Sequence, residues 1–247
     1  MQKLKSMKLY FLSITKLFFS NLKNYYFQSN YYNKKLITFT PDRIFYSPST
    51  YLSSCLTKTN NDFYKITNTI PELLWKTSIQ EKQKFENLHD FLWLIKLDRK
   101  NNKNITKNII NSWIDKFYNY NTYTWDMEIT ARRIIAWSSN IDITLENSEK
   151  KYKEKFLLSL LKQSNYLLKN IASLLYTPSK IICCSAIILS GMIFKENDTN
   201  YKIGIKELEK NVKNYFDENG FPKSRNPEEV FICLKYLILI REWLKEA

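Results

Sequence analysis

The sequence predicts an all-α fold built from antiparallel helix hairpins. Apolar residues recur at helical spacing over most of the chain, and short polar breaks separate the helical stretches. Only three glycines occur among the 247 residues, whereas a β-rich fold needs many tight turns, at which glycine is favoured. Hairpins of this kind assemble into superhelical arrays or into α/α toroids, and helical spacing alone leaves both open.

Residues 1–50 are predicted to form an N-terminal helix and an extended arm, and residues 51–247 are predicted to form the helical domain. Four residues of the opening segment have the spacing of one helix face: Leu9, Leu12, Lys16 and Phe19. We expect this helix to run to about Phe27. Pro41 and Pro48 then favour an extended connection over a further helix.

The start of the chain also has the basic and apolar character of a signal peptide, but two features argue against one. Lys16 and Lys23 interrupt the apolar run, and no site of small residues suited to cleavage follows. An amphipathic helix is therefore expected, and a cytoplasmic location is favoured over a periplasmic one. No stretch of the sequence approaches the ~20 uninterrupted apolar residues of a membrane-spanning helix.

Seven helices are expected in the helical domain, after a stretch at residues 51–82 that has no clear pattern. They cover residues 83–95, 105–117, 129–137, 152–173, 178–194, 201–216 and 227–246. The fifth is apolar nearly all round, which predicts burial on most sides. The sixth is expected to turn one face inward, made of Ile205, Leu208, Val212 and Tyr215.

The formal net charge of +14 has two possible sources. Arginine accounts for six of the 38 basic residues, and the abundance of Lys, Asn, Ile, Tyr and Phe is typical of codon bias in an AT-rich genome. Alternatively, the excess charge attracts a polyanion, either nucleic acid or acidic polysaccharide. Nucleic-acid-binding proteins usually concentrate arginine and carry a reading motif, and the sequence has neither, so nucleic acid is an unlikely partner.

Cysteine and histidine usage predicts no metal site and no cofactor. Cys183 and Cys184 are adjacent in an apolar run and Cys233 lies in another, so buried free thiols are expected. His89 is the only histidine, which excludes a zinc site built from several histidines. Any Ser-His-Asp centre would have to use His89.

The segment WDMEITARRIIAW carries a possible binding group. Arg133 and Trp137 are one helical turn apart and share a face, and Trp125 lies in the loop that leads into the helix. An arginine between indole rings can bind a carboxylate while the rings stack on sugars. The alternative is that both tryptophans belong to the core and that Arg133 caps a helix end or pairs with a carboxylate.

The segment FDENGFPKSRNP, residues 216–227, joins the sixth and seventh helices. Gly220 is expected to cap the sixth helix in a left-handed conformation, while Asn226 caps the seventh and Pro227 occupies its first turn. Arg225 is left beside a helix N-terminus, which is a favourable place for an anion.

Together these segments resemble the helical N-terminal domain of the heparinase II/III-like family, especially its alphaproteobacterial members. The stretches follow in a similar order: FENLHDFLWLIKL, NSWIDKF, a W-x7-R-x3-W motif met by Trp125, Arg133 and Trp137, KQSNYLLKNI, an apolar helix, and a loop similar to D-G-G-H-x-S-R-N-P. Five residues match in that loop: Gly220, Ser224, Arg225, Asn226 and Pro227. The resemblance covers roughly residues 41–245.

The resemblance implies an incomplete α/α toroid, normally followed by an antiparallel β-sandwich, and β-elimination of an acidic polysaccharide. In that reaction a base removes the proton α to a uronate carboxylate, neighbouring groups neutralise the carboxylate, and an acid protonates the departing oxygen. Tyr, His and Asn fill these roles in characterised lyases.

This sequence departs from the lyase pattern at the catalytic positions. The position of the catalytic tyrosine is Glu229, the following histidine position is Val230, and the aspartate position is Asn219. The Asn-His pair that precedes the apolar helix in the lyases is replaced by TPSKIICC. The remaining catalytic histidine belongs to the β-sandwich, so these residues alone do not assemble a recognisable lyase centre.

We therefore expect a cleft that binds an acidic polysaccharide, with lyase activity uncertain. The expected substrate-binding residues are Arg133, Trp125, Trp137, Asn219, Arg225 and Asn226. His89 and Glu229 are candidates for catalysis, although a glutamate in the first turn of a helix is commonly a partner of the helix dipole. The alternative is a non-catalytic helical scaffold that pairs with a separate β-sandwich protein or another partner.

Overall fold

The computed structural model describes residues 10, 14–15, 18–19, 21–57, 70–195 and 198–246, and the regular structure in these ranges is helical. The prediction of an all-α chain is confirmed for them, and a single β-bridge joins Phe216 to Pro222. Every described residue from 10 to 28 is helical, and these residues are called the N-terminal helix. None of the described helices is long and apolar enough to cross a bilayer.

The α-helices that follow are numbered in chain order. They are α1 (Asn30–Lys35), α2 (Thr50–Ser53), α3 (Pro71–Leu74), α4 (Lys82–His89), α5 (Lys103–Phe117), α6 (Met127–Ser138), α7 (Ile141–Thr144), α8 (Lys150–Asn170), α9 (Pro178–Ile193), α10 (Asp198–Tyr215) and α11 (Pro227–Glu246). Short 3-10 helices cover Ser54–Leu56, Leu92–Lys96 and Ile171–Ser173.

Helices α6, α9 and α11 run parallel. At one end of the molecule their last residues contact the arm through three hydrogen bonds: Phe45 N–H to Ile193 O at 2.9 Å, Ser47 Oγ to Ser138 O at 2.8 Å, and Tyr46 Oη to Glu246 Oε2 at 2.7 Å. At the other end the Ser179 hydroxyl donates to Glu128, which joins the first turns of α9 and α6.

Helices α5, α8 and α10 run in the opposite direction. Trp137 contacts Phe156 while Arg133 contacts Gln163, so α8 is antiparallel to α6. Lys155 contacts Asn111 and Lys162 contacts Tyr118, so α5 runs along α8, and Gly191 and Gly204 meet Tyr201 and Ile188, so α10 is antiparallel to α9.

The consecutive helices α8, α9 and α10 pack against one another, whereas the expected arrangement of hairpins around a ring stays a prediction. Helix α9 packs against α6, α8, α10 and α11. Its residues 180–190 are all buried, which confirms the expected burial of the apolar helix.

Two glycines allow α9 and α10 to approach closely. A Cβ added at Gly204 of α10 would lie 2.7 Å from Ile188 Cγ1, and one added at Gly191 of α9 would lie 2.5 Å from the backbone nitrogen of Tyr201. Both distances are too short for a side chain, so the crossing of these helices requires glycine at both positions.

The helix predicted for residues 83–95 is interrupted. Helix α4 ends at His89, and Phe91 has a left-handed backbone with φ 58° before the 3-10 helix begins. The Asp90 side chain accepts from Leu92 N–H at 2.9 Å across this break. The interruption redirects the chain so that Phe91 and Trp93 enter the aromatic core, where their rings stack 5.4 Å apart.

The predicted inward face of the sixth helix is partly wrong. Val212 is exposed, whereas the buried residues of α10 are Asn200, Gly204, Glu207, Leu208, Asn211 and Tyr215. Asn211 faces inward because its side-chain N–H donates to Thr177 O at 3.0 Å.

The N-terminal region contains one helix that the sequence did not predict, and the arm follows it. Ser29 begins helix α1 by accepting a hydrogen bond from Tyr32 N–H at 3.2 Å, and residues 37–49 then have no regular secondary structure. Of the residues that predicted the opening helix, Leu9, Leu12 and Lys16 lie outside the described residues, and Phe19 is helical and exposed.

Candidate functional site

Four of the residues selected from the sequence lie in the core. The side chains of Arg133, Trp125, Trp137 and His89 have an exposed fraction of 1% or less. Trp137 stacks on Phe156 with ring centroids 5.2 Å apart, and Trp125 donates its indole N–H to Phe117 O at 2.9 Å. These side chains therefore build the protein interior, and the expectation that they contact a polysaccharide is corrected on this ground.

Arg133 is held by acceptors inside the protein. Its guanidinium donates to Gln163 Oε1 at 2.6 Å, His89 O at 2.8 Å, Thr124 O at 3.0 Å and Thr130 Oγ1 at 3.2 Å. It also lies 4.1 Å from the centroid of the Trp113 ring. Burial lowers the pKa of Arg133 to about 9, so the group remains charged at neutral pH. Its role is to join α4, α6 and α8.

His89 is a neutral core residue. Its Nδ1 accepts a hydrogen bond from the Trp113 indole N–H at 3.0 Å, which places the imidazole proton on Nε2. Burial, together with the charges of Arg133 and Lys116, lowers the pKa of His89 to about 3. A group without access to solvent and with this pKa is not placed to act as a general base on a polysaccharide.

Three of the other residues selected from the sequence lie exposed on the loop between α10 and α11: Asn219, Arg225 and Asn226; Glu229 lies in the first turn of α11. Asp217 organises the loop, because its carboxylate accepts from Asn219 N–H at 3.0 Å and from Phe221 N–H at 2.9 Å and pairs with the Arg225 guanidinium at 2.7 Å. Arg225 has φ 59°, and its guanidinium lies 6.0 Å from the centroid of the Phe221 ring.

The capping roles predicted for this loop are confirmed in one case. Asn226 Oδ1 accepts from Glu228 N–H at 3.0 Å, which is the hydrogen bond of an N-cap. Gly220 has the expected left-handed φ of 79°, but α10 ends at Tyr215. Gly220 instead closes a turn with its N–H donating to Asp217 O at 3.0 Å, so it does not cap the helix.

Glu229 is occupied by two hydroxyl groups. Its carboxylate accepts hydrogen bonds from Ser224 and Tyr215, and these two donors lower its pKa, with Ser224 contributing more. It therefore fastens the loop to the first turn of α11.

A cavity of about 520 Å³ opens beside the first turn of α6, and the sequence reasoning missed the arginine that lines it. Its lining residues are Ile79, Lys82, Phe85, Glu86, Thr122, Tyr123, Asp126, Glu128, Ile129 and Arg132. Arg132 pairs with Glu128 one turn earlier on the helix and lies within hydrogen-bonding reach of the Tyr236 hydroxyl. Burial opposes the charge on Arg132, but Tyr236, Glu128 and Asp90 raise its pKa above the ordinary value for arginine.

The charges of this cavity are already paired with one another. Lys82 lies 3.8 Å from Glu86, Glu128 pairs with Arg132, and Asp126 accepts from the backbone N–H groups of Glu128 and Ile129. The cavity therefore offers no unpaired cation to an anionic ligand. Two features of the sequence indicate that Arg132 lines the surface. It is spaced i, i+4 from Glu128, with which it can pair, and both residues lie on the side of α6 away from Trp137.

A second opening is lined by apolar residues together with Lys213, Asp217 and Glu218. A cavity of about 520 Å³ lies between α10 and α11, next to the exposed side chains of Val212 and Leu234. Phe216, Val230 and Leu237 complete its apolar wall. On α11 itself, Phe231, Leu234 and Ile238 are exposed and share one helix face; we call these three residues the α11 stripe.

Among the described residues, no group of three or more His, Cys, Asp or Glu side chains has the arrangement of a metal site. The described cysteines are unpaired, and Cys183, Cys184 and Cys233 are buried, as the sequence predicts. Comparison of the chain with protein-family models, with curated proteins and with solved structures finds no match.

Proposed function

We propose that this chain is a non-catalytic helical interaction domain that pairs with a separate protein through the α11 stripe. The observation that carries the proposal is the exposure of Phe231, Leu234 and Ile238 beside the apolar wall of a cavity. Exposed apolar groups that form one continuous surface mark sites of protein association. The burial of His89 and the pairing of Glu229 support a role without catalysis.

The proposed architecture is the incomplete α/α toroid that the heparinase II/III-like resemblance implies. Three parallel helices, α6, α9 and α11, alternate along the chain with three antiparallel ones, which is the hairpin order of such a ring. In an incomplete ring the last hairpin has one side without a neighbouring hairpin. The α11 stripe lies on the last described hairpin, so a partner protein there would continue the packing.

The proposed partner is a separate β-sandwich polypeptide, the domain that follows the helical one in the family that this chain resembles. The pairing is tested by co-expression and calorimetric titration with a β-sandwich protein encoded in the same genome. Burying one large apolar side chain contributes about 1.5–3 kcal/mol, so Phe231→Ser and Ile238→Ser should each weaken binding by roughly tenfold or more. Leu175→Ser, at an exposed site on another surface, is the matched control.

Unchanged affinity of the double variant Phe231→Ser/Ile238→Ser would contradict the role of the stripe. Equal weakening by Leu175→Ser would also contradict it, because the loss would then not be specific to α11.

A second proposed function is binding of an acidic polysaccharide at the loop between α10 and α11. Arg225, Lys223 and the ring of Phe221 are exposed together there, which places cations beside a surface on which a sugar can stack. Arg225→Ala should weaken binding of a sulfated or uronate-containing polysaccharide, while Arg241→Ala should not. The two side chains have similar exposed fractions, 65% and 70%, so equal effects would show attraction by net charge alone and would refute a site at the loop.

A further inference from the structure

Among the described residues of the N-terminal helix, Phe27 is buried against the rest of the protein, and Asn24 accepts a hydrogen bond from the Tyr120 hydroxyl at 3.3 Å. Phe27 stacks on Tyr32 with ring centroids 4.5 Å apart, and meets the edges of Tyr120 and Tyr166 at 5.0 and 6.0 Å. The other large apolar side chains described on this helix are exposed: Tyr10, Ile14, Phe18, Phe19, Leu22, Tyr25 and Tyr26. The helix therefore presents an apolar surface to solvent.

These exposed residues form one face. At about 100° per residue they span about half of the circumference of the helix, and Phe27 lies on the opposite side. Lys23 lies just beyond one edge of this face, and its Nζ is 5.2 Å from the centroid of the Phe27 ring. An apolar half rich in Phe and Tyr, bordered by lysine, is the pattern of helices that lie in a membrane interface.

The charged side chains in the first 41 residues of the sequence are all positive. Residues 1–41 contain seven lysines and no aspartate or glutamate, which is half of the net charge of +14 in a sixth of the chain. Lys34 and Lys35 of α1 are exposed, and the Lys169 ammonium of α8 is held beside them by donating to Lys35 O at 2.7 Å. Burial and the neighbouring charge of Lys35 lower the pKa of Lys169. This lowered pKa is expected where two positive charges lie close together and are not neutralised.

We propose that the N-terminal helix docks on the surface of an anionic membrane, with its exposed apolar face in the interface and the exposed lysines Lys23, Lys34 and Lys35 against the lipid headgroups. Charge complementarity selects this occupant over a second copy of the chain, because two copies would bring lysine-rich segments together. The apolar half-circumference selects lipid over nucleic acid, which would leave Phe18 and Leu22 without an apolar environment.

Vesicle flotation tests the proposal with the full chain and vesicles of phosphatidylglycerol and phosphatidylcholine. We expect binding to the anionic vesicles that weakens with added salt, and little binding to pure phosphatidylcholine. Phe18→Ser/Leu22→Ser should reduce partitioning into anionic vesicles by roughly tenfold or more, since each change removes an apolar group from the interface. The control Tyr51→Ser/Leu175→Ser, at two exposed positions outside the N-terminal helix and the α11 stripe, should partition like the unaltered protein.

A fluorescence measurement identifies the segment that enters the lipid. All six native tryptophans are buried: Trp75, Trp93, Trp113, Trp125, Trp137 and Trp243. In Phe18→Trp an additional indole replaces a side chain that is 59% exposed, and in the control Leu175→Trp it replaces one that is 79% exposed. Vesicles that contain brominated lipid should quench the added fluorescence of Phe18→Trp and leave that of Leu175→Trp unchanged.

Three outcomes would overturn the proposal. They are the absence of flotation with anionic vesicles at low salt, equal quenching of the two tryptophan variants, and conversion of a dimer to a monomer by Phe18→Ser/Leu22→Ser, which would show that a second copy covers the face. The outcome does not depend on the α11 stripe or on the loop between α10 and α11, so it is independent of the proposed function.

Discussion

Acidification is expected to destabilise this protein through its single histidine. His89 has a pKa of about 3 in the folded protein, mainly because it is buried, and an ordinary histidine in an unfolded chain has a pKa of about 6.5. Between these values the unfolded chain binds the proton more readily than the folded protein. The free energy of unfolding is therefore expected to fall as the pH decreases below about 6.5.

The size of the effect follows from the difference in pKa. Each unit is equivalent to about 1.4 kcal/mol, and from pH 7 to pH 4.5 about two units of the interval are crossed, which gives a loss of about 2.5 kcal/mol. Protonation of Nδ1 would also break the 3.0 Å hydrogen bond from Trp113. Both effects destabilise the folded protein: the protonated His89 would be buried beside the positive charge of Arg133, and Trp113 would lose its acceptor.

The assay is urea unfolding of the unaltered protein and of His89→Asn at both pH values. Asparagine places an oxygen near the position of Nδ1, so it retains an acceptor for Trp113 but does not gain a proton in this range. The unaltered protein should lose about 2.5 kcal/mol more than the variant between pH 7 and pH 4.5. Since carboxylates titrate in both proteins, the comparison isolates the histidine.

A second measurement gives the pKa directly. The chain has one histidine, so a single imidazole Cε1–H signal can be followed by NMR without assignment. The signal is expected to keep its neutral position to below about pH 5. Titration near the ordinary pKa of about 6.5, or equal loss of stability in the two proteins, would refute the assignment of His89 to the core.

Two other substitutions test the packing. Arg133→Met removes the donor for four internal acceptors and should lower the free energy of unfolding by about 3–5 kcal/mol; a loss below about 1 kcal/mol in urea unfolding would contradict a structural role. Gly204→Ala places a methyl group 2.7 Å from Ile188 Cγ1 and should cost about 1–3 kcal/mol, although alanine has the higher helix propensity. Stabilisation in a thermal unfolding scan would show that α9 and α10 are not in close contact at this position.

Helical periodicity predicted most of the elements, because most apolar residues of α5, α8 and α9 are buried against neighbouring helices; Val212 on α10 and the α11 stripe are exceptions. It could not predict the break at Phe91, where a left-handed residue separates two helical pieces. The aromatic residues on both sides continue the i, i+3, i+4 spacing through the break. Only the packing of Phe91 and Trp93 in the core explains the interruption.

The choice between Arg132 and Arg133 shows why the binding residues were harder to predict. Adjacent positions on a helix point about 100° apart, so one of the two faces the interior when the other lines an opening. The proximity of Arg133 to Trp137 suggested a sugar-binding group, but the same spacing describes a core face. The sequence does not state which face of α6 meets α8, and this contact decides the role of each arginine.

The loop between α10 and α11 was predicted better, because its behaviour depends on local chemistry. Asn226 caps α11 as expected, and Gly220 has the expected positive φ. The pairing of Asp217 with Arg225 depends on how the loop folds back, so spacing alone did not indicate it.

The arm that joins the ends of the three parallel helices has a consequence for biosynthesis. Segment 45–47 leaves the ribosome early, but its hydrogen bonds reach Ser138, Ile193 and Glu246. The last of these partners is separated from the arm by 200 residues. During translation the arm can form these contacts only after α6, then α9 and finally α11 have been synthesised. Its docking is therefore completed only after almost the whole described chain has been synthesised.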